Sequence, residues 1–295
     1  MRSVAILGEA LIDLRPAAHG YLAQPGGSPF NVAIGLARLG HRAEFVGRFA
    51  DDALSVILRR HAAQSGVSLE WSGAWSGPTP AALFDLNEDG SARYEFHLGD
   101  VRESLFAETV VGAVDYVHFG SIASWMPGSS ELVLEAVARL RQAGAFVSYD
   151  PNIRGMLAPK KNVVEQAVAL SDLVKASVED VEWLYPGYGV ADVARWWLDV
   201  GADAVVITHG AEGADCYTRD GMLHGSSAPV EVVDTVGAGD AFMAALLDGR
   251  AEAGALTQSV IDSACAYAAA TCAVPGADPP WRTTNEGLSI PARTA

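Results

Sequence analysis

The residues best suited to chemistry in this 295-residue chain lie between Ala228 and Gly249, in APVEVVDTVGAGDAFMAALLDG. Val230, Val232 and Val233 read as a strand, Asp234 and Thr235 close it, and Gly237, Ala238 and Gly239 make a turn almost without side chains. Ala241, Phe242, Ala244, Ala245, Leu246 and Leu247 continue as a largely apolar helix. A helix start leaves backbone N–H groups unpaired and carries about half a positive charge, so a bare turn lets an anion reach those donors. Asp240, in the first turn of the helix, is kept as a carboxylate by the same dipole, which suits it to accept a proton or a hydrogen bond. Anion cradle and base would be neighbours. A lone GxGD can also be no more than a turn and a favourable helix start.

A second glycine stretch, PGGSPFNVAIGLARLG, runs from Pro25 to Gly40. Together the two resemble the paired signatures of the PfkB (ribokinase-like) carbohydrate kinase family, GG followed closely by N and then DTxGAGD, in the family's order and at about its distance. The resemblance implies an α/β fold: a ribokinase-like three-layer sandwich with a mainly parallel central sheet, helices on both faces and a small β-sheet lid. It implies ATP-dependent phosphorylation of a small sugar, with ATP and Mg²⁺ as cofactors and K⁺ as a further cation. Fructose is the leading substrate, with 2-keto-3-deoxygluconate, ribose and nucleosides as alternatives within the family.

The resemblance also assigns residues. Asp240 would be the base, and Gly237, Ala238 and Gly239 would hold the charge on the transferring phosphoryl group. Asp13, Gly26, Gly27 and Asn31 would bind the sugar: carboxylate and amide side chains can grip neighbouring hydroxyls, and paired glycines allow backbone approach. A simple helix N-cap is the alternative for Asn31. In DPNIR, Asp150 to Arg154, the guanidinium of Arg154 is a planar fork suited to a phosphate or carboxylate, or else to a structural ion pair. In KASVED, Lys175 to Asp180, the family usually has Asn or Ser followed three positions later by Glu, tied to Mg²⁺ and phosphate placement; here Ser177 and Asp180 stand there, and the shorter carboxylate implies contact with Mg²⁺ through water. Lys175 joins the nucleotide contacts or is a solvated surface charge. THGAEG resembles the family's nucleotide turn, which adds Thr208, Gly210 and Gly213 to Gly237 and Gly239. Asp234 and the loop around Gly276 and Ala277 would hold the monovalent cation. Cys265 stands where many relatives place an Asn near adenine.

These groups fall at or just beyond predicted strand ends, where ligands bind in an open parallel sheet. Expected strands are Val4–Leu7, Phe45–Phe49, Tyr116–Phe119, Phe146–Tyr149, Leu173–Ala176 and Ala204–Thr208, with a hairpin at Cys216–Thr218 and Gly221–His224. Helices are expected from near Asn31, after an Asp51 or Asp52 cap to about Gln64, and over Ser129–Gln142, Val163–Leu170, Val178–Leu184, Ala191–Val200 and Thr257–Cys272. The alternation means a parallel sheet covered on both faces. TPAALFDLNEDGSARYEFHL alternates around NEDG and reads as a hairpin. In the resembled family such strands, about 79–99 here, join those of about 14–25 in a lid that often forms a dimer interface; a plain surface hairpin is the alternative. Nothing splits 1–295 into separate domains.

A net charge of −16, from 20 basic and 36 acidic residues, disfavours nucleic acid and anionic membrane as partners, so a nucleotide site must make its own local positive potential. Apolar runs are too short to span a bilayer, Glu9 and Asp13 interrupt any signal-like segment, and Cys216, Cys265 and Cys272 suggest reduced thiols in a cytoplasmic protein. There is no GxxxxGK[ST], and no GxGxxG follows the first strand. His97, His118, His209 and His224 have no nucleophile motif beside them and read as packing or surface residues. A sugar-binding protein without catalysis is the rival class, and Asp240 with its glycine turn argues against it.

Overall fold

The computed structural model describes residues 1–86, 92–100, 112–282 and 288–289. In chain order the strands are β1 (Ser3–Leu7), β2 (Leu11–Ala17), β3 (Gly20–Gly26), β4 (Arg42–Val46), β5 (Arg48–Ala50), β6 (Gly73–Trp75), β7 (Ala81–Leu86), β8 (Ala92–His97), β9 (Tyr116–Gly120), β10 (Phe146–Asp150), β11 (Leu173–Ser177), β12 (Ala204–Thr208), β13 (Ala214–Thr218), β14 (Gly221–Gly225), β15 (Trp281–Arg282) and β16 (Leu288–Ser289). The helices are α1 (Ser28–Arg38), α2 (Ala53–Ser65), α3 (Ser121–Trp125), α4 (Ser130–Gln142), α5 (Lys161–Ala169), α6 (Val178–Leu184), α7 (Val190–Val200), α8 (Ala238–Ala253) and α9 (Gln258–Cys272).

The central sheet runs β14-β13-β12-β11-β10-β9-β1-β4; pairing is parallel from β4 to β12, and β13 and β14 close the far edge antiparallel. Because successive side chains point to opposite faces, each strand feeds two cores. Leu7, Phe119, Val147 and Tyr149 pack with α4, α5 and α7 on one face, while Val4, Ile6, Leu173 and Val206 pack with α1, α8 and α9 on the other. This is the expected three-layer sandwich. A separate sheet, β3-β2-β7-β8, supplies the strands expected of a lid.

Three local expectations are corrected. Val230 to Val233 form no strand: Val232 and Val233 are 60% and 56% exposed, and the Val233 N–H bonds to the Cys272 carbonyl at a helix end instead of to a strand, so β-propensity is overridden by where the chain must run. The expected strand Phe45–Phe49 breaks at Gly47, where a Cβ would lie 2.6 Å from the Gly8 carbonyl oxygen; β4 ends at Val46 and β5 pairs with β6 instead. Helix α1 starts at Ser28, capped by Gly27 and with Pro29 in its first turn, where the missing proline N–H costs nothing. Asp52 caps α2, accepting the Ser55 N–H at 2.8 Å. The NEDG turn lies outside the described residues.

Candidate active site

Helices α1 and α8 begin side by side. A Cβ on Gly35 would approach the Ala244 Cβ to 2.7 Å, so this glycine permits the close packing that aims both N-termini at one place. Their caps, Gly27 and Gly237, have φ of 99° and 79°, in the left-handed region that favours glycine. Between them opens a cavity of about 290 Å³.

Asp240 lies in its wall, 9% exposed, accepting from Ser28 Oγ at 2.6 Å and from Asn31 Nδ2 at 2.8 Å. The two bonds fix the carboxylate and leave each oxygen a further acceptor site. Asn31 is inside its helix and not the cap; among the described residues its buried Oδ1 has no partner, an acceptor that a ligand hydroxyl can fill. Among the described residues the N–H groups of Gly237, Gly239 and Asp240 have no protein partner, whereas that of Ala238 turns back to the Thr235 carbonyl at 3.3 Å. The donors of the turn are thus its glycines and Asp240, not Ala238.

Lys175 is no surface charge. It is 4% exposed, its Nζ is 2.9 Å from Asp150 Oδ2, and a Cβ on Gly239 would come within 2.9 Å of that Nζ, so the ammonium abuts the turn. Burial works against its charge, but Asp150, Asp180 and Asp240 outweigh it and keep the group protonated.

Opposite, Asp13 and Arg154 line the cavity. Burial pushes the Asp13 carboxyl up to about 6, with Arg15 and Arg154 pulling it down and Asp240 and Asp234 pushing it up. Gly26 is not among the residues lining this cavity, but a Cβ there would meet the Asp13 carboxylate, so its bareness makes room for that group. Arg154 donates to Asn152 Oδ1 at 2.9 Å and to the Ile153 carbonyl at 3.1 Å, and among the described residues it forms no ion pair. Glu9, Arg15, Ser28, Ser121 and Asn152, which sequence reasoning missed, complete this side. Glu9 accepts the Ile122 and Ala123 N–H groups at 3.3 and 2.9 Å, and burial lifts its carboxyl to about 7. Ser121 and Asn152 have φ of 52° and 39°, backbone strain concentrated at the cavity. Ala82, Phe84 and Phe96 of the small sheet form an apolar roof.

The other expected contacts lie outside this cavity. Ser177 and Thr208 are neighbours at the ends of β11 and β12, followed by the 3₁₀ turn that carries Gly210 and Gly213. A Cβ on Gly213, at φ 104°, would come within 1.9 Å of the Gly225 oxygen. Asp180 is committed to structure: its oxygens accept the Ile153 N–H at 2.7 Å and the Ser177 N–H at 2.9 Å, forming a capping box and anchoring the DPNIR loop. Asp234 is paired with Arg15. Cys265 Sγ points to the Gly225 carbonyl. His118 is buried against Ser148, and His209 and His224 share Asp215. Among the described residues no group of three or more His, Cys, Asp or Glu could hold a metal, and no helix is long and apolar enough to cross a membrane.

An open α/β sheet with a polar cavity at its strand ends, a fixed carboxylate and unpaired N–H donors beside it can hold a hydroxyl group next to an anion. Residues 1–284 match the pfkB family of carbohydrate kinases, and the chain belongs to that family of ATP-dependent sugar kinases. It is 35% identical over 268 residues to the fructokinase of Escherichia coli, covering 86% of each chain. The aminoimidazole riboside kinase of Salmonella enterica, solved with aminoimidazole riboside and an ATP analogue, superposes with a TM-score of 0.80 at 27% identity, over 93% of this chain and 95% of that one. A fructokinase double mutant from Vibrio cholerae O395, solved with fructose, ADP and a potassium ion, gives 0.79 at 28% identity, over 94% of each.

Proposed function

We propose that the chain phosphorylates fructose with MgATP. The carrying observation is Asp240, held by Ser28 and Asn31 beside the open N–H groups of Gly237 and Gly239. The sugar lies under the small sheet, its hydroxyls on Asp13, Asn31 and the backbone at Gly27, and the nucleotide extends along Ser177, Thr208, Gly210 and Gly213. Asp240 orients the attacking hydroxyl and accepts its proton. A sugar hydroxyl is too weak an acid to be deprotonated outright by a carboxylate, so proton transfer accompanies or follows a loose phosphoryl transfer, and positioning does most of the work. Lys175 and the turn N–H groups face the charge that builds on the phosphoryl group. The described residues, which offer no cluster of three metal-binding side chains, fit a hydrated Mg²⁺ carried by the triphosphate. When bound, that ion neutralises phosphate charge.

A 2-keto-3-deoxygluconate kinase is the second reading, favoured by the cavity-lining Arg154 that forms no ion pair among the described residues. We assign Arg154 to phosphate or to sugar hydroxyls, since an acidic chain has few cations for the nucleotide. ADP release with fructose, 2-keto-3-deoxygluconate, ribose and aminoimidazole riboside separates the substrates. For Arg154→Ala, kcat/KM should fall alike on fructose and on the keto acid; a loss confined to the acid overturns both the role and the preference for fructose. Dimerisation through the small sheet belongs to the same proposal.

A further inference from the structure

The carboxylate of Asp234, just before the anion turn, is fully used. Oδ1 accepts from Arg15 Nη2 at 3.1 Å and from the Val236 N–H at 3.0 Å; Oδ2 accepts from Arg15 Nη1 and from the Gly276 N–H at 2.8 Å. A carboxylate offers about four lone-pair sites, so four donors leave none for a metal ion. The pair is sheltered, with the side chains of Arg15 and Asp234 24% and 9% exposed. Burial works to raise the Asp234 carboxyl, and the hydrogen bonds from Arg15, Val236 and Gly276 outweigh it, keeping the group ionised.

Arg15 stands on β2, and its guanidinium lies 5.7 Å from the ring centroid of Phe84 on β7. The loop it reaches through Asp234 packs on the anion turn: a Cβ on Gly237 would sit 2.4 Å from the Ala277 Cβ. One side chain therefore joins the sheet above the cavity, the approach to the turn and the Gly276 loop. A bidentate guanidinium does this with a fixed direction that a spherical ion lacks.

We propose that Arg15 is a positioning residue that takes the place of a monovalent cation at Asp234, fixing the anion turn and tying it to the seating of the small sheet. The Asp234 carboxylate does not fit a potassium ion while Arg15 is there. The inference rests on the kinase reading above, with Asp240 and the turn as the reacting centre.

The test compares wild type, Arg15→Gln, Arg15→Lys and Asp234→Asn in KCl and in tetramethylammonium chloride at equal ionic strength, reading kcat, both KM values and Tm. Wild type should turn over equally in the two salts and show no K⁺-specific rise in Tm. Arg15→Gln should lose about a hundredfold in kcat in tetramethylammonium, as expected for a misplaced turn, recover part of it in K⁺, and gain a K⁺-dependent rise in Tm. Arg15→Lys should fall between. Several-fold activation of wild type by K⁺, or Arg15→Gln with the wild-type kcat in tetramethylammonium, overturns the proposal. If Arg15→Gln does not fold, the wild-type comparison still decides, and Asp234→Asn, which removes the partner of Arg15, should lose kcat in both salts without rescue by K⁺. Absence of ADP release from wild type with every sugar sinks the kinase reading instead; the Tm comparison, which needs no turnover, then tests Arg15 by itself.

Discussion

Asp240 is gripped at both oxygens, so replacing it by asparagine keeps the shape and removes the proposed base. We predict that Asp240→Asn lowers kcat by about a thousandfold with little change in either KM, because proton acceptance matters in the transition state. A variant that keeps about a tenth of the rate would rule out that role. Asp13 carries a pH dependence. Its folded pKa of about 6 lies above the ordinary 3.8, so the folded chain holds that proton more tightly than the unfolded one. The associated stability is fully present below about pH 4 and is lost as the pH rises through about 6, on the order of 2–3 kcal/mol. Asp13→Asn should therefore raise Tm at about pH 8, a gain that shrinks towards about pH 4.5, while sugar KM rises steeply. Equal Tm changes at both values would show that Asp13 is not burdened by burial. Asp240, Asp13 and Asn31 were legible in the sequence because each stands in a short motif. Arg15, Glu9 and the burial of Lys175 were not: their partners lie far along the chain, and a charge reads as solvated until the fold encloses it.

At the scale of elements, the two glycines of the anion turn should fail differently. A Cβ on Gly237 meets backbone and Cβ of Ala277 within 2.7 Å at a φ of 79°, so Gly237→Ala should destabilise by at least about 1–2 kcal/mol and loosen the Gly276 loop. On Gly239 it meets only the end of the flexible Lys175 side chain, at 2.9 Å. Gly239→Ala should fold normally yet lose rate because the ammonium is displaced. Thermal melts beside kcat separate the two, and a Gly239→Ala protein with wild-type turnover would remove Lys175 from the reaction. Strands of the parallel run with neighbours on both sides were legible to within one residue at an end, and Ala204–Thr208 to the residue, since a short apolar run between turn residues is too short for a helix. The valines at 230, 232 and 233 misled because propensity says nothing about which partner the rest of the fold presents, here the end of a helix at Cys272.

On the scale of the whole molecule, two cores divided by one sheet make a scaffold whose polar business is confined to one end. The sheet above that end leaves Leu22 on β3 exposed at 54%, an apolar side chain that the dimer proposed above would cover. Sedimentation should show a dimer, and Leu22→Asp should release monomers; a monomeric wild type would end the idea. The stretch that looked like a strand has a kinetic consequence. From 226 to 232 no backbone N–H has a protein partner among the described residues, while those of Val233 and Asp234 bond to the Cys272 carbonyl. Amide protons should therefore trade with deuterium almost freely up to Val232 and slow abruptly at Val233, a step that marks where the rigid frame of the reacting centre begins.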